Sequence, residues 1–255
     1  MKITKKHSYR LSKLVQQRSS KMVNSQVKAS RNVLAISQQE EFPYFIEKCG
    51  LKLIVHKDVF SPKHFHGPEI FTRNFPLIKG EEILEIGCGT GVTGLFLAKS
   101  GAKKVTLNDI SSEAVKNCRK NAQINNITNC EIRESDIFST IRDEERFDTI
   151  YWNMPFIPVP EKYKFNPPLE RTLFDPGFKL IKRFLQEASI HLKEDGRLLI
   201  GWGNSENHAF GNPEKLKELA QRNQFSIKLL IEQKSTEGNQ VTFQLYELGR
   251  IDNEQ

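Results

Sequence analysis

A chain of 255 residues, 38% apolar and 27% charged, has enough hydrophobic material for a sizeable core, which excludes a disordered composition. It has no run of about eighteen apolar residues and no internal period, and its four cysteines (Cys49, Cys88, Cys118, Cys130) are far apart; these features exclude membrane-spanning, solenoid, zinc-ribbon and disulfide-scaffold classes. The net charge of +7 is unevenly spread: residues 1–39 hold nine Lys or Arg and no acid, leaving 29 basic against 31 acidic residues in the remainder. The basicity therefore belongs to an arm and does not mark the body as a nucleic-acid-binding domain.

The arm, residues 1–39, is rich in Ser, Gln and Lys and is expected to be flexible, with a short amphipathic helix allowed by Leu11, Leu14, Val15 and Met22. Three readings stay open: a solvated tail, an electrostatic handle for RNA, the ribosome or an anionic surface, and a transit peptide to an organelle. No apolar stretch follows the basic N-terminus, so a secretory signal is not expected and a reducing, cytoplasmic location is the default. Residues 40–78 suggest a small prelude. Phe42–Ile46 is expected to start a helix, Leu51–Val55 to form a strand, and Ser61–Phe75 to hold a short helical stretch. His64 and His66 form an H-x-H pair, but no third ligand follows at a metal spacing, so no metal is expected.

From Lys79 strands alternate with helices. Strands are expected at Glu82–Ile86, Lys104–Asn108, Cys130–Arg133, Phe147–Asn153, Arg197–Trp202, Ser226–Ile231 and Val241–Tyr246. Helices are expected at Val92–Ser100, Ser111–Asn125, Asp175–Leu192 and Pro213–Arg222. This alternation implies a doubly wound α/β domain over 79–249, with a seven-stranded, mostly parallel sheet. The last two strands lack an intervening helix, so the final one is expected to run antiparallel.

Residues Ile83 to Gly94 run from a strand through a glycine turn into a helix. Gly87, Gly89 and Gly91 allow positive φ and bring bare backbone against a ligand. A tight turn without a ligand would use the same residues, but this turn is not isolated. Asp109 ends the next strand, where an acid accepts both hydroxyls of a ribose. A dinucleotide fingerprint needs glycine at the position of Val92, and Glu85 puts a carboxylate beside the pocket. A carboxylate there repels phosphate and suits an ammonium group, so the expected ligand is a nucleoside with a positively charged tail.

Here the sequence resembles the class I S-adenosylmethionine-dependent methyltransferases, over roughly residues 60 to 248. Glu85 to Gly91 is similar to their first motif, which implies S-adenosyl-L-methionine as cofactor with Glu85, Gly87, Cys88, Gly89 and Gly91 around it, in a Rossmann-like fold. Leu107 to Ser111 resembles the ribose-binding segment, implying roles for Asp109 and Ile110. Ser135 to Phe138 resembles the adenine-reading segment, with Asp136 for the exocyclic amine and the Ile137 backbone for a ring nitrogen.

Asn153-Met154-Pro155-Phe156 follows the fourth of these strands and resembles the Asn-Pro-Pro-(Tyr/Phe) signature of enzymes that methylate planar nitrogens. The chemistry is independent of the family. An amide or aryl amine is a poor nucleophile because its lone pair is delocalised. Two acceptors gripping its hydrogens, Asn153 Oδ1 and the carbonyl of residue 154, turn that lone pair toward the methyl group, and Phe156 stacks on the flat group. Met154 departs from the pattern and is expected to cost rigidity, although Pro155 still biases residue 154 toward an extended conformation. The proline-rich segment after Met154 is a substrate platform or a covering loop, with Tyr163, Phe165, Glu170 and Arg171 as candidate contacts. The layout is most similar to the protein glutamine methyltransferases acting on release factors. An RNA base N-methyltransferase and a catalytically silent cofactor-binding module are the alternatives. The implied partner is a macromolecule, protein or RNA.

Overall fold

The computed structural model describes residues 24–205, 211–235 and 241–251. Helix α1 (24–37) is followed by strands β1 (Tyr44–Lys48) and β2 (Leu51–Val55) and helix α2 (Gly67–Arg73). The sheet region opens with β3 (Glu82–Ile86), α3 (Val92–Ser100), β4 (Lys104–Asp109), α4 (Ser112–Ile124), β5 (Cys130–Glu134) and β6 (Phe147–Asn153). Short strands β7 (Ile157–Val159) and β8 (Phe174–Pro176) precede α5 (Lys179–Ala188). Then come β9 (Leu192–Ser205), α6 (Pro213–Arg222), β10 (Phe225–Lys234) and β11 (Val241–Arg250).

The main sheet has seven strands in the order β10-β11-β9-β6-β3-β4-β5. Strands β5, β4, β3, β6 and β9 pair in parallel, while β11 runs antiparallel to both β9 and β10, as expected of the final strand. Strand order reverses between β3 and β6. In an open α/β sheet this switch point leaves a crevice at the carboxyl ends of the strands, and both the glycine turn and Asn153 lie there.

Alternation along the strands gives the sheet two apolar faces. Leu84, Ile86, Ile150, Trp152, Leu198 and Ile200 meet Ile181, Phe184, Leu185 and Ala188 of α5 on one side. These helix residues recur at the spacing of a single buried stripe. On the other side Ile83, Val105 and Leu107 pack with Leu95 and Leu97 of α3 and Cys118 of α4. A layer on each face buries both, as a parallel sheet requires.

Residues 40–78 join this second layer, since Cys49, Leu51 and Leu53 share its cluster. Asparagines at helical spacing on α4 fasten β2. Asn117 Oδ1 accepts from His56 N at 2.9 Å, Asn121 Oδ1 from Ile54 N at 2.7 Å, and Asn125 Oδ1 from Lys52 N at 3.1 Å. Positions i, i+4 and i+8 of a helix thereby satisfy alternate backbone groups of an edge strand. The helix start expected at Phe42–Ile46 is instead strand β1. The register Tyr44↔Val55 to Lys48↔Leu51 closes a two-residue turn, Cys49-Gly50, with φ of 52° and 70°. Two successive positive φ angles are those of the hairpin turns whose twist matches the strands, so turn chemistry outweighs the short apolar run.

The arm expected to be flexible through residue 39 contains α1. Val27 and Leu34 pack with Ile157, Val159, Leu173 and Phe174, and Leu34 is 2% exposed. Residues 1–23, with most of the cations and the amphipathic pattern at Leu11–Met22, lie outside the described residues. The helix expected over Asp175–Leu192 is shorter, because β8 takes 174–176 and Asp175 caps the helix: its carboxylate accepts from Leu180 N and Ile181 N. The segment after Met154 is not structureless, since β7 pairs in parallel with β8.

Candidate active site

The glycine turn lines a cavity of about 310 Å³ at the carboxyl ends of β3, β4 and β6. Gly87, Gly89 and Gly91 have φ of 66°, 54° and 81°, so all three occupy the left-handed region that the sequence led us to expect. Two of them are also places of close approach: a Cβ on Gly91 would lie 2.5 Å from Cys118 Sγ, and one on Gly87 would lie 3.0 Å from Trp152 Nε1. Cys88 is buried, and its thiol is pushed up by the adjoining Cys118 thiol and by burial.

Glu85 lines the cavity but is itself buried, with Oε2 accepting from Gly94 N at 2.8 Å. Burial pushes its carboxyl up to about 8, opposed by the Gly94 amide and reinforced by the Asp109 charge. The folded protein therefore holds this proton more tightly than the unfolded chain. The associated stability is complete below the ordinary value of 4.5 and is lost as pH rises through about 8. Glu85→Gln stays neutral throughout, so thermal melts between about pH 5 and pH 9 should show a flatter decline than wild type. Gly94 has no room for a side chain, because a Cβ would lie 2.4 Å from both Glu85 Oε2 and Leu107 Cδ2. Gly94→Ala should lower stability by about 1–3 kcal/mol, the usual cost of overpacking, as measured by denaturant unfolding.

Asp109 ends β4. Its Oδ2 accepts from Gly89 N and its Oδ1 from Ser111 N, both at 2.9 Å, so one carboxylate ties the glycine turn to the start of α4. Burial raises its pKa. Neighbouring Asn108 donates from Nδ2 to the Ile137 carbonyl at 2.7 Å, while its buried Oδ1 has no hydrogen-bond partner. Ile110 is exposed at the cavity rim. Ile137 is buried with φ 54°, so its backbone turns sharply beside the cavity. Asp136, expected to meet an exocyclic amine, is held by another lining residue: Arg183 Nη1 donates to Oδ2 at 2.7 Å and Nη2 to its carbonyl at 3.0 Å. Oδ1 is left without a protein donor and is the oxygen most available to a ligand.

The lining of this cavity fits S-adenosylmethionine. Glu85, Asp109 and the unpartnered Asn108 Oδ1 are acceptors suited to an ammonium group and ribose hydroxyls. Ile110, Ile137 and Leu180 supply apolar surface for a flat base.

A second cavity, of about 420 Å³, adjoins the first; Phe60, Pro68, Asn153 and Thr172 line both. Asn153 is the last residue of β6 and pairs with Gly201, where a Cβ would come within 3.2 Å of Asn153 Cα. Pro155 faces the first cavity; Met154 and Phe156 face the second. The rigidity expected to be lost at Met154 is replaced by packing, for its side chain is 1% exposed in the core beside Trp152 and Trp202. Phe156 lies 6.2 Å from the Trp202 ring and occupies the space over Gly203, where a Cβ would meet its ring at 2.3 Å. Gly203 in the strand pattern was the available signal for this lodging, while Gly201 makes room for Phe71 and for the backbone of Asn153.

Of the loop residues expected to contact substrate, Phe165 and Arg171 line the first cavity, with the guanidinium 5.1 Å from the ring centroid. Tyr163 and Glu170 do otherwise. Glu170 is 1% exposed and accepts from Arg31 Nε at 2.7 Å, Tyr163 Oη at 2.8 Å and Asn166 N at 3.0 Å. Its carboxylate is thus occupied within the protein. His64 meets Glu40 at 2.8 Å, and no group of potential metal ligands occurs among the described residues. Sequence reasoning missed Phe60, Trp152, Thr172 and Arg183 as lining residues.

The sequence matches the methyltransferase small domain family over residues 50–228. It is 35% identical over 158 residues to a Methanocaldococcus jannaschii protein provisionally named a protein N5-glutamine methyltransferase, covering 61% of this chain and 77% of that one. It is 29% identical over 206 residues to a release factor glutamine methyltransferase of Lactococcus lactis, covering 74% of each chain. Among solved structures, a T. thermophilus 16S rRNA N2 G1207 methyltransferase in complex with AdoMet and guanosine superposes with a TM-score of 0.57 at 17% identity, over 82% of this chain and 50% of that one. The last likeness is one of fold. The family match spans the glycine turn, Asp109 and the Asn153 element together: the chain belongs to the methyltransferase small domain family and is an S-adenosylmethionine-dependent methyltransferase.

Proposed function

We propose that this methyltransferase acts on the side-chain amide nitrogen of a glutamine in a protein. The observation that carries the reading is the position of Asn153, which lines both the cofactor cavity and the adjoining one, so that a group held by its side chain sits where the two meet. Bound S-adenosylmethionine supplies an electrophilic methyl group on a positively charged sulfur. Asn153 Oδ1 and the Met154 carbonyl accept the two amide hydrogens and fix the plane of the nitrogen. Phe156 flanks that plane. With that donor bound, the carbon–nitrogen bond would form as the carbon–sulfur bond breaks, and one nitrogen-bound proton would pass to solvent. Placement alone contributes up to about 7–11 kcal/mol in well-oriented reactions, so no separate base is required.

Among the described residues, the charge around the two cavities favours protein over RNA as acceptor. Of the Lys and Arg side chains lining the two cavities, Lys63 meets Glu40, Lys179 meets Glu161, and Arg183 meets Asp136. Arg171 stacks over Phe165. Phosphate contacts need cations available for them, and most of these are already paired. The names of the M. jannaschii and L. lactis relatives point the same way. A cytoplasmic protein, with a release factor as the first candidate, is the proposed partner. No helix among the described residues is long and apolar enough to cross a membrane.

The test is transfer of labelled methyl to a cell lysate, followed by protease or nuclease digestion and acid hydrolysis. Label lost to protease and released as methylamine, the hydrolysis product of N5-methylglutamine, is the expected result. Nuclease-sensitive label would overturn the glutamine reading in favour of a base amine.

A further inference from the structure

Helix α1 precedes the residues matched by the family, yet one of its stripes lines the second cavity. Gln26, Ser30 and Val33, at i, i+4 and i+7, are lining residues together with Phe60, Phe65, Met154 and Phe156. The adjacent stripe, Val27, Arg31 and Leu34, faces the segment between β6 and α5. Val27 and Leu34 pack there against Ile157, Leu173 and Phe174. Arg31 Nε donates to Glu170 Oε1 at 2.7 Å, its Nη2 donates to Tyr163 Oη at 2.5 Å, and its guanidinium carbon lies 5.4 Å from the Tyr163 ring centroid. Tyr163 Oη donates in turn to the second oxygen of Glu170. Because Glu170 is buried and Arg31 is about half exposed, the pair fixes an outer helix to a rigid inner carboxylate.

We propose that α1 is this enzyme's acceptor-recognition wall. Gln26 and Ser30 meet the polypeptide that flanks the acceptor glutamine, and Arg31 is a positioning residue that latches the wall through Glu170 and Tyr163. The lining suits such an occupant: Phe60, Phe65, Ile157 and Leu173 accept the glutamine methylenes, while Gln26 and Ser30 on α1, with His66, Thr172 and Ser235 across the cavity, offer polar groups for a peptide backbone. The glutamine identity rests on the function proposed above; the role of α1 as a wall does not.

Arg31→Ala should raise KM for the methylated acceptor about tenfold while kcat changes little and cofactor affinity by calorimetry stays the same, the pattern of lost binding that is uniform between ground and transition states. Arg31→Lys should recover part of the loss by supplying a point charge to Glu170. Ser30→Trp, which fills the cavity from α1 without touching the latch, should raise KM likewise. Unchanged KM in both Arg31→Ala and Ser30→Trp overturns the proposal, as does loss of cofactor binding in parallel with KM, which would make α1 a general stabilising element. Nuclease-sensitive label with the same KM effects would remove glutamine and keep the wall. Ser30→Cys gives a readout independent of turnover. Alkylation of that thiol by iodoacetamide, followed by peptide mass spectrometry, should slow several-fold when N-acetylglutamine methylamide is added with S-adenosylhomocysteine, and not with S-adenosylhomocysteine alone. Absence of that protection overturns the recognition role.

Discussion

Replacing Asn153 by Ala is expected to lower kcat by about 10²–10³-fold, the scale for removing one preorganised polar group from a reacting centre. Affinity for S-adenosylmethionine should remain close to wild type. Asn153 lines the cofactor cavity but ends β6 at the boundary with the second cavity, whereas Glu85, the glycine turn and Asp109 belong to β3, β4 and their turns. The loss should therefore appear in turnover and not in calorimetric binding. The fold should tolerate the change, since Asn153 is half-buried at a strand end and its pairing with Gly201 is made by backbone. A variant that retains turnover within a few-fold of wild type would reduce Asn153 to a strand terminus. A variant that also loses the cofactor would mean that Asn153 shapes the first cavity more than the second.

The parts of this site that were legible in the sequence are those made by neighbours in the chain. Gly87, Gly89 and Gly91 stand between a strand pattern and a helix pattern, and positive φ at all three is a local backbone property. Asp109 follows from the same logic one strand later, and Asn153 from the end of the next parallel neighbour of β3. What was not legible depends on partners far apart. Arg31 and Glu170 are separated by 139 positions, and Arg183 and Asp136 by 47. No periodicity links an arginine in a polar arm to a glutamate after a proline run, so α1 was expected to be flexible and Glu170 to face substrate. Strand β1 failed for a different reason: a five-residue apolar-rich run has no decisive period, and the Cys49-Gly50 turn decides its conformation. Met154 is a third kind of case. Its departure from the proline of the motif suggested looseness, while the core around Trp152 and Trp202 holds it by burial, a compensation visible only in three dimensions.

The second large effect is expected at Asp109. Asp109→Ala should weaken both S-adenosylmethionine and S-adenosylhomocysteine by about 1.5–3 kcal/mol, or about ten- to a hundredfold, the scale of hydrogen bonds to a charged group. Binding of the two should fall in parallel, because the ribose is common to both and the positive charge that distinguishes them lies on the sulfur. Two causes contribute to the loss in this variant, since the same carboxylate also accepts from Gly89 N and Ser111 N and so holds the glycine turn against the start of α4. Asp109→Asn separates them. Its remaining oxygen still accepts from one backbone N–H and the side-chain volume is kept, but the amide nitrogen, its lone pair delocalised, donates and accepts nothing from a second hydroxyl. If the ribose contact dominates, the Asn variant should melt near wild type and still bind both nucleosides more weakly. If turn support dominates, it should recover most of the affinity that Ala loses, and the Ala variant should show the lower melting temperature. Unchanged affinity in a folded Asp109→Ala protein would remove the ribose assignment altogether, because β4 carries no other carboxylate to take its place.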